Sequence, residues 1–176
     1  FSLRRAPEAR TLTALAAPDM RAGFEYQREL VQRGWSPPVM RQYDPRETGR
    51  LHAEARGCTL IMVHEGPATR VAAEAEAAAS LAGDMSLEPL TPAIVEHWLG
   101  HRNHVNPWDQ ILSRGVVADT VEISATWDRI AGIYDAATAS VAAMEGCRAA
   151  SAHSSHVYRS GLNLYFTFAI QPAEAT

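Results

Sequence analysis

Apolar positions recur along this chain with two different spacings. In "PDMRAGFEYQRELVQRG", Met20, Phe24, Leu30 and Val31 return at helical intervals and Gly34 stops the run. "PATRVAAEAEAAASLAG" predicts a second helix, with Pro67 near its start and Gly83 at its end. Two more follow: "TPAIVEHWLGHR", which Thr91 can cap, and "DRIAGIYDAATASVAAMEG", for which Asp128 is the candidate cap. Strands are read in "SPPVMRQYD", entered through prolines, and in "GVVADTVEISATW", with a short one around Met85 to Glu88. "CTLIMVHEG" is apolar almost throughout and bounded by glycines, the pattern of a central strand. The start reads as a short strand and a Pro7-containing link, and the stretch from Asp44 to Gly57 as a polar loop.

The resulting order, β-α-β-β-α-β-α-β-α-β-β, predicts an α+β fold in which helices cover a mainly antiparallel sheet. An αββα pattern recurs, as two ferredoxin-like halves would give. One domain is expected over residues 1–176. The chain opens at Phe1 without an initiator methionine, so it is expected to be a piece of something longer.

The last stretch, "SAHSSHVYRSGLNLYFTFAI", alternates apolar and polar residues around a glycine-containing turn and predicts a β-hairpin. With Arg159, Ser160 and Gly161 in the turn, Tyr158 faces Leu162 and His153 faces Thr167. Leu162, Leu164, Phe166, Phe168 and Ile170 then share one face. His153, Ser155, Asn163, Tyr165 and Thr167 share the other. A slip of one residue would flip a strand. Either this second face meets water, or it lines a cavity.

Composition narrows the partners. A net charge of −4 offers no basic face for nucleic acid. All 16 basic residues are arginines, which rules out a Schiff-base or phosphate-loop lysine within the chain. Cys58 and Cys147 stand in no metal or redox spacing, which points to two buried thiols in a reducing cytoplasm. No apolar run approaches the roughly 20 residues of a membrane-spanning helix. His97, His101 and His104 could share a helix face, but Gly100 and Asn103 predict a helix end there, and no metal is assigned.

"SSHVYRSGLNLYFTFA", preceded by "VEISATWDRI", is similar to the C-terminal, or cap, domain of FAD-linked oxidases of the vanillyl-alcohol-oxidase type. The pattern is nearest to the alkyldihydroxyacetonephosphate-synthase-like bacterial members, with their "Y-x-x-G-x-x-(I/L)-YF-x-FA" hairpin. "LRRAPEAR" resembles the strand leaving the FAD-binding domain, and "GFEYQRELVQRGWSPPVMRQYD" the helix and "R-x-x-D" strand that follow. The resemblance implies a flavoprotein oxidoreductase or flavin-using transferase. Its FAD would be held mainly by a domain absent from this chain, and its small-molecule substrate would be covered by this cap.

Residue roles follow from that likeness. Tyr165 falls on the tyrosine implicated in acid–base work, His153 would share the proton handling, and Arg41 would position charge on substrate or flavin. Tyr165 is correspondingly counted with Arg41 as a flavin contact. Ser155, Asn163, Thr167 and Trp108 would complete the substrate wall. The family's arginines are replaced by His153 before the hairpin and by Trp108 before Asp109, which implies a less charged or aromatic substrate. The plainer alternatives are a structural tyrosine at Tyr165 and an Arg41–Asp44 ion pair. Two other accounts stay open: a stand-alone cofactor-free binding module, cyclase or isomerase, and a scaffold that forms a homodimer through its sheet.

Overall fold

The structure, a computed structural model, describes residues 6–52, 55–104, 113 and 115–173. Its elements are β1 (Ala9–Ala17), α1 (Met20–Gln32), β2 (Val39–Tyr43), α2 (Pro45–Leu51), β3 (Cys58–Gly66), α3 (Ala68–Asp84) and β4 (Glu88–Leu90). Then come α4 (Ala93–His101), β5 (Val117–Thr126), α5 (Trp127–Ala142), β6 (Cys147–Ser154), β7 (Val157–Tyr158) and β8 (Gly161–Ile170). Among the described residues this is an α+β fold with an eight-stranded sheet and five helices. The strands run β4-β1-β3-β2-β6-β8-β5, with β7 added against β8, and every pairing is antiparallel.

β3 is buried along both faces, which explains its unbroken apolar sequence. Leu60 and Met62 join Phe24 and Leu30 of α1 and Leu81 of α3 in the larger core. Ile61 and Val63 turn the other way, against Ile94 and Val95 of α4. Each such side chain contributes about 1.5–3 kcal/mol on burial. Leu162, Leu164 and Phe166 of β8 extend the larger core beneath Ile130 of α5.

The sheet narrows where β2 meets β6. Their register comprises Gln42↔Ser154 and Tyr43↔His153. A buried polar cluster reinforces this seam. Gln27 donates to Gln42 (2.7 Å), Ser154 donates to Gln27 (3.2 Å), and the Gln42 amide N–H donates to Ser154 Oγ (3.1 Å). Gly23 leaves room for it: a Cβ there would sit 2.3 Å from the Gln42 amide and push that side chain out of place.

Several local expectations are corrected. Ala9–Ala17 is a full strand, since its alternation pairs along the whole of β3. The stretch read as a loop after Asp44 holds α2, whose N-terminus Asp44 caps by accepting from Glu47 N (2.8 Å). β4 lies two residues later than expected at its end, at Glu88–Leu90. The last long helix starts at Trp127 with Thr126 at the cap position, and the Thr126 hydroxyl donates to Asp128 instead. The terminal hairpin has an irregular first arm: Tyr158 pairs with Gly161, and His153 with Tyr165.

Cys58 is fully buried and burial pushes its thiol up to about 12, whereas Cys147 is half-buried. Thiolate is the reactive form. Labelling with a thiol reagent at neutral pH is therefore expected to modify Cys147 while the fold persists, and Cys58 only on unfolding. Equal rates for both would contradict this packing. Among the described residues no helix is long and apolar enough to cross a membrane.

Candidate functional site

Side chains of one sheet face converge where the seam crosses the sheet. Arg41 and Tyr43 project from β2, and Tyr43 pairs with His153 of β6. His153 in turn pairs with Tyr165, and Ser151 with Thr167, so all four lie on this same face. α2 lies against β6 and delivers Glu47. From the other side α4 contributes Trp98, His97 and, at its last residue, His101. Arg41, Tyr43, Glu47, His153, Thr167 and the α4 side chains line a cavity of about 220 Å³.

Glu47 is the electrostatic centre of the cavity wall, with its side chain 2% exposed. One carboxylate oxygen accepts from His153 Nδ1 at 2.9 Å, and the other accepts from Ser151 and Thr167 hydroxyls at 3.4 Å each. Arg50 stands 3.8 Å away. Burial pushes the Glu47 carboxyl up. The hydrogen bond and attraction of His153, with Arg50 and Thr167, outweigh that and hold it below the usual carboxylate range. Burial likewise raises the Tyr43 phenol, which therefore stays neutral.

Arg41 does not pair with Asp44. Asp44 points away, accepting from Ala152 N (2.8 Å) and the Tyr134 hydroxyl (3.4 Å). The Arg41 guanidinium lies 5.6 Å from the Tyr43 ring centroid and 5.5 Å from that of Trp98. Its Nε is buried without a hydrogen-bond partner among the described residues. Cation–π contact stabilises such a charge by about 0.5–2 kcal/mol, and the guanidinium also donates a hydrogen bond to the Tyr43 phenol. Arg102 stacks on the same Trp98 at 5.4 Å.

The expected site residues are thus divided. Arg41, His153 and Thr167 line the cavity together. Tyr165 stacks on His153, with ring centroids 5.2 Å apart, while its hydroxyl donates to Thr120 at 2.9 Å. Asn163 and Ser155 form a clasp at the strand break: Asn163 Oδ1 accepts from the Ser155 and His156 amides at 3.1 and 2.6 Å. Trp108 lies outside the described residues. His97 and His101 stack at 4.1 Å on a helix that continues through Gly100. Among the described residues no group of three or more His, Cys, Asp or Glu side chains could hold a metal ion.

Glu47, Arg50, Tyr43, Trp98 and Arg102 were not expected here. Asp44 followed three residues later by Glu47 is a helix-start signature that would have placed α2 and its carboxylate. A larger cavity, about 370 Å³, lies on the opposite face between Asp44, Arg46, Tyr134 and Asp135. None of the residues expected to act on a substrate or flavin lines it.

Comparison with known proteins supplies the context for this face. Residues 6–176 match the family described as FAD linked oxidases, C-terminal domain. The chain is 27% identical over 180 residues to YgcU, an uncharacterized FAD-linked oxidoreductase of Escherichia coli O157:H7, covering 92% of this chain and 36% of that protein. The strain K12 protein of the same name matches equally, again at 27% over 180 residues. The chain therefore spans about a third of the length of these relatives. Two crystal forms of alkyldihydroxyacetonephosphate synthase share the fold, with TM-scores of 0.79 and 0.81 at 19% identity. They cover 97% of this chain and 38% and 37% of theirs.

Proposed function

This chain belongs to the family of FAD-linked oxidase C-terminal domains, and from that premise we propose that it is the substrate-binding cap of an FAD-dependent oxidoreductase. The observation that carries the reading is the meeting of Arg41, a guanidinium with no carboxylate partner among the described residues, with the Glu47–His153 pair across one small cavity. Arg41 and the neighbouring sheet face, with Tyr165, fit the role of contacts to a flavin ring and to a substrate's acidic or carbonyl oxygen. When bound, the flavin supplies the acceptor for the substrate's electron pair. The chain's own residues orient the substrate, shield it with Trp98, and take up the proton it gives up, at His153 with Tyr165 alongside.

In place of the less charged substrate expected from His153 and Trp108, Arg50 and Arg102 restore positive charge at the cavity and favour a small organic substrate bearing an acidic group. The polar row on β8 and β6 would face the FAD-binding domain of the same protein. The two unpaired thiols fit a reducing cytoplasm. The order β4-β1-β3-β2 is also the basis for reading the first half as ferredoxin-like, with the shorter β6-β8-β5 group as its partial counterpart.

The test is purification of the complete parent protein. A yellow preparation whose flavin is bleached by an organic acid supports the reading, and a colourless preparation with full activity ends it. In the yellow protein, Arg41→Ala is expected to raise KM about 10- to 100-fold, the worth of one hydrogen bond to a charged group. An unchanged KM would remove Arg41 from the substrate contacts.

A further inference from the structure

The Glu47–His153 contact carries more than proximity. The carboxylate is held ionised and can only accept, so the hydrogen between it and His153 Nδ1, 2.9 Å away, resides on the ring nitrogen. When the imidazole is neutral, its lone pair is then at Nε2. Among the described residues Nε2 has no hydrogen-bond partner, and the His153 side chain is 15% exposed, at the cavity.

The ring is also kept from turning. Tyr165 stacks on it at 25° and 5.2 Å, and Tyr43 packs at 43° and 5.5 Å. Tyr165's hydroxyl is committed to Thr120. Ser151 and Thr167 hold the far carboxylate oxygen, so Glu47 is itself fixed from α2, β6 and β8.

We propose that Glu47 is a positioning residue that fixes His153 in its Nδ1–H tautomer, making Nε2 the proton acceptor of the site, with Tyr165 as the surface on which the ring rests. This rests on the reading above that His153 handles the substrate's proton. The proton lost by the substrate goes to Nε2, and the resulting imidazolium is stabilised by the Glu47 carboxylate. Nothing is covalently bonded to the protein.

The tautomer can be read without flavin. The chain is labelled with 15N-histidine, and long-range 1H–15N spectra are recorded near pH 8.5, with His153 identified by its loss in His153→Gln. The expected wild-type pattern is a protonated Nδ1 and a bare Nε2. In Glu47→Ala the ring is expected to move to the Nε2–H form that free imidazole favours in water. In the isosteric Glu47→Gln, which keeps the packing if alanine does not fold, a mixture of both forms is expected. A wild-type Nε2–H ring, or a pattern unchanged in both folded variants, overturns the proposal. In the flavin-containing parent, Glu47→Gln is expected to lower kcat by roughly 10²-fold or more with KM within about twofold, as wrong-tautomer variants do. If instead the tautomer responds as expected while His153→Gln leaves turnover intact, the hold of Glu47 stands and the proton-handling reading fails.

Discussion

Exchanging His153 for glutamine in the flavin-containing parent protein is expected to slow substrate-dependent flavin reduction by roughly 10²–10⁴-fold, the range for loss of a positioned general base. Glutamine fills much of the imidazole volume and can still donate to the Glu47 carboxylate, so the wall of the cavity keeps its shape. What it lacks is an atom that accepts a proton near neutral pH. Flavin content and melting temperature should therefore stay near those of the wild type while kcat falls. Stopped-flow bleaching of the flavin measures the step directly. A loss smaller than about tenfold would move proton handling to Tyr165 or to a group outside this chain.

Glu74→Ala is expected to destabilise the fold by about 1–3 kcal/mol, a substantial share of the 5–15 kcal/mol typical of a domain. Glu74 of α3 is 2% exposed and accepts from His64 Nδ1 at 3.0 Å, with His64 wholly buried on β3. Its second oxygen accepts from the Ser36 amide at 3.2 Å. Alanine would leave the wholly buried His64 donor without an acceptor, at about 1–3 kcal/mol, whereas Ser36 is exposed and its amide can turn to water. The far side of the imidazole is occupied by the Thr13 hydroxyl at 3.2 Å, so the ring cannot turn to find another partner without losing that one. Arg70 is mostly exposed and 4.0 Å from Glu74, so Arg70→Ala serves as a control expected to cost under about 0.5 kcal/mol. Urea melts of the two variants decide it. A Glu74→Ala shift below about 1 kcal/mol would mean that water reaches the pair.

Much of the architecture was legible because burial writes itself into periodicity. β3, buried on both faces, and the helices α1 and α3 read directly from their apolar spacing. The grouping of His153 with Tyr165 also emerged, although the pairing proposed for them was off. The expected partner of His153 was Thr167 and the observed one is Tyr165, a displacement of two residues, which keeps the β6 side chains on their side of the sheet, whereas in β7 Val157 takes the core-side place expected for Tyr158. The displacement arises from a one-residue slip at Tyr158↔Gly161 and another at the Ser155–His156 break that Asn163 clasps.

What the sequence concealed was local and short, or distant. α2 has seven residues and begins with a proline, so no apolar period announces it. Glu47 and His153 are 106 positions apart, and nothing in either segment alone marks them as partners. Trp98 sits on a helix recognised as such and Arg102 just past its end, but which face that helix turns to the sheet depends on where β2 and β3 lie. The same holds for Arg41, whose isolation from Asp44 follows from strand alternation combined with the cap at α2.

The seam at Gln42↔Ser154 and Tyr43↔His153 also bears on mechanics. Arg41 belongs to one half of the sheet and His153 to the other, and the joint between them, the register of β2 with β6, spans Gln42↔Ser154 and Tyr43↔His153 alone. A molecule gripped from both sides acts as a crossbar over that joint. Its affinity should then appear as added resistance of the whole domain to denaturation, growing with the logarithm of its concentration. Conversely, whatever loosens the Gln27–Gln42–Ser154 cluster beneath the joint should weaken binding without touching a single group that the ligand meets.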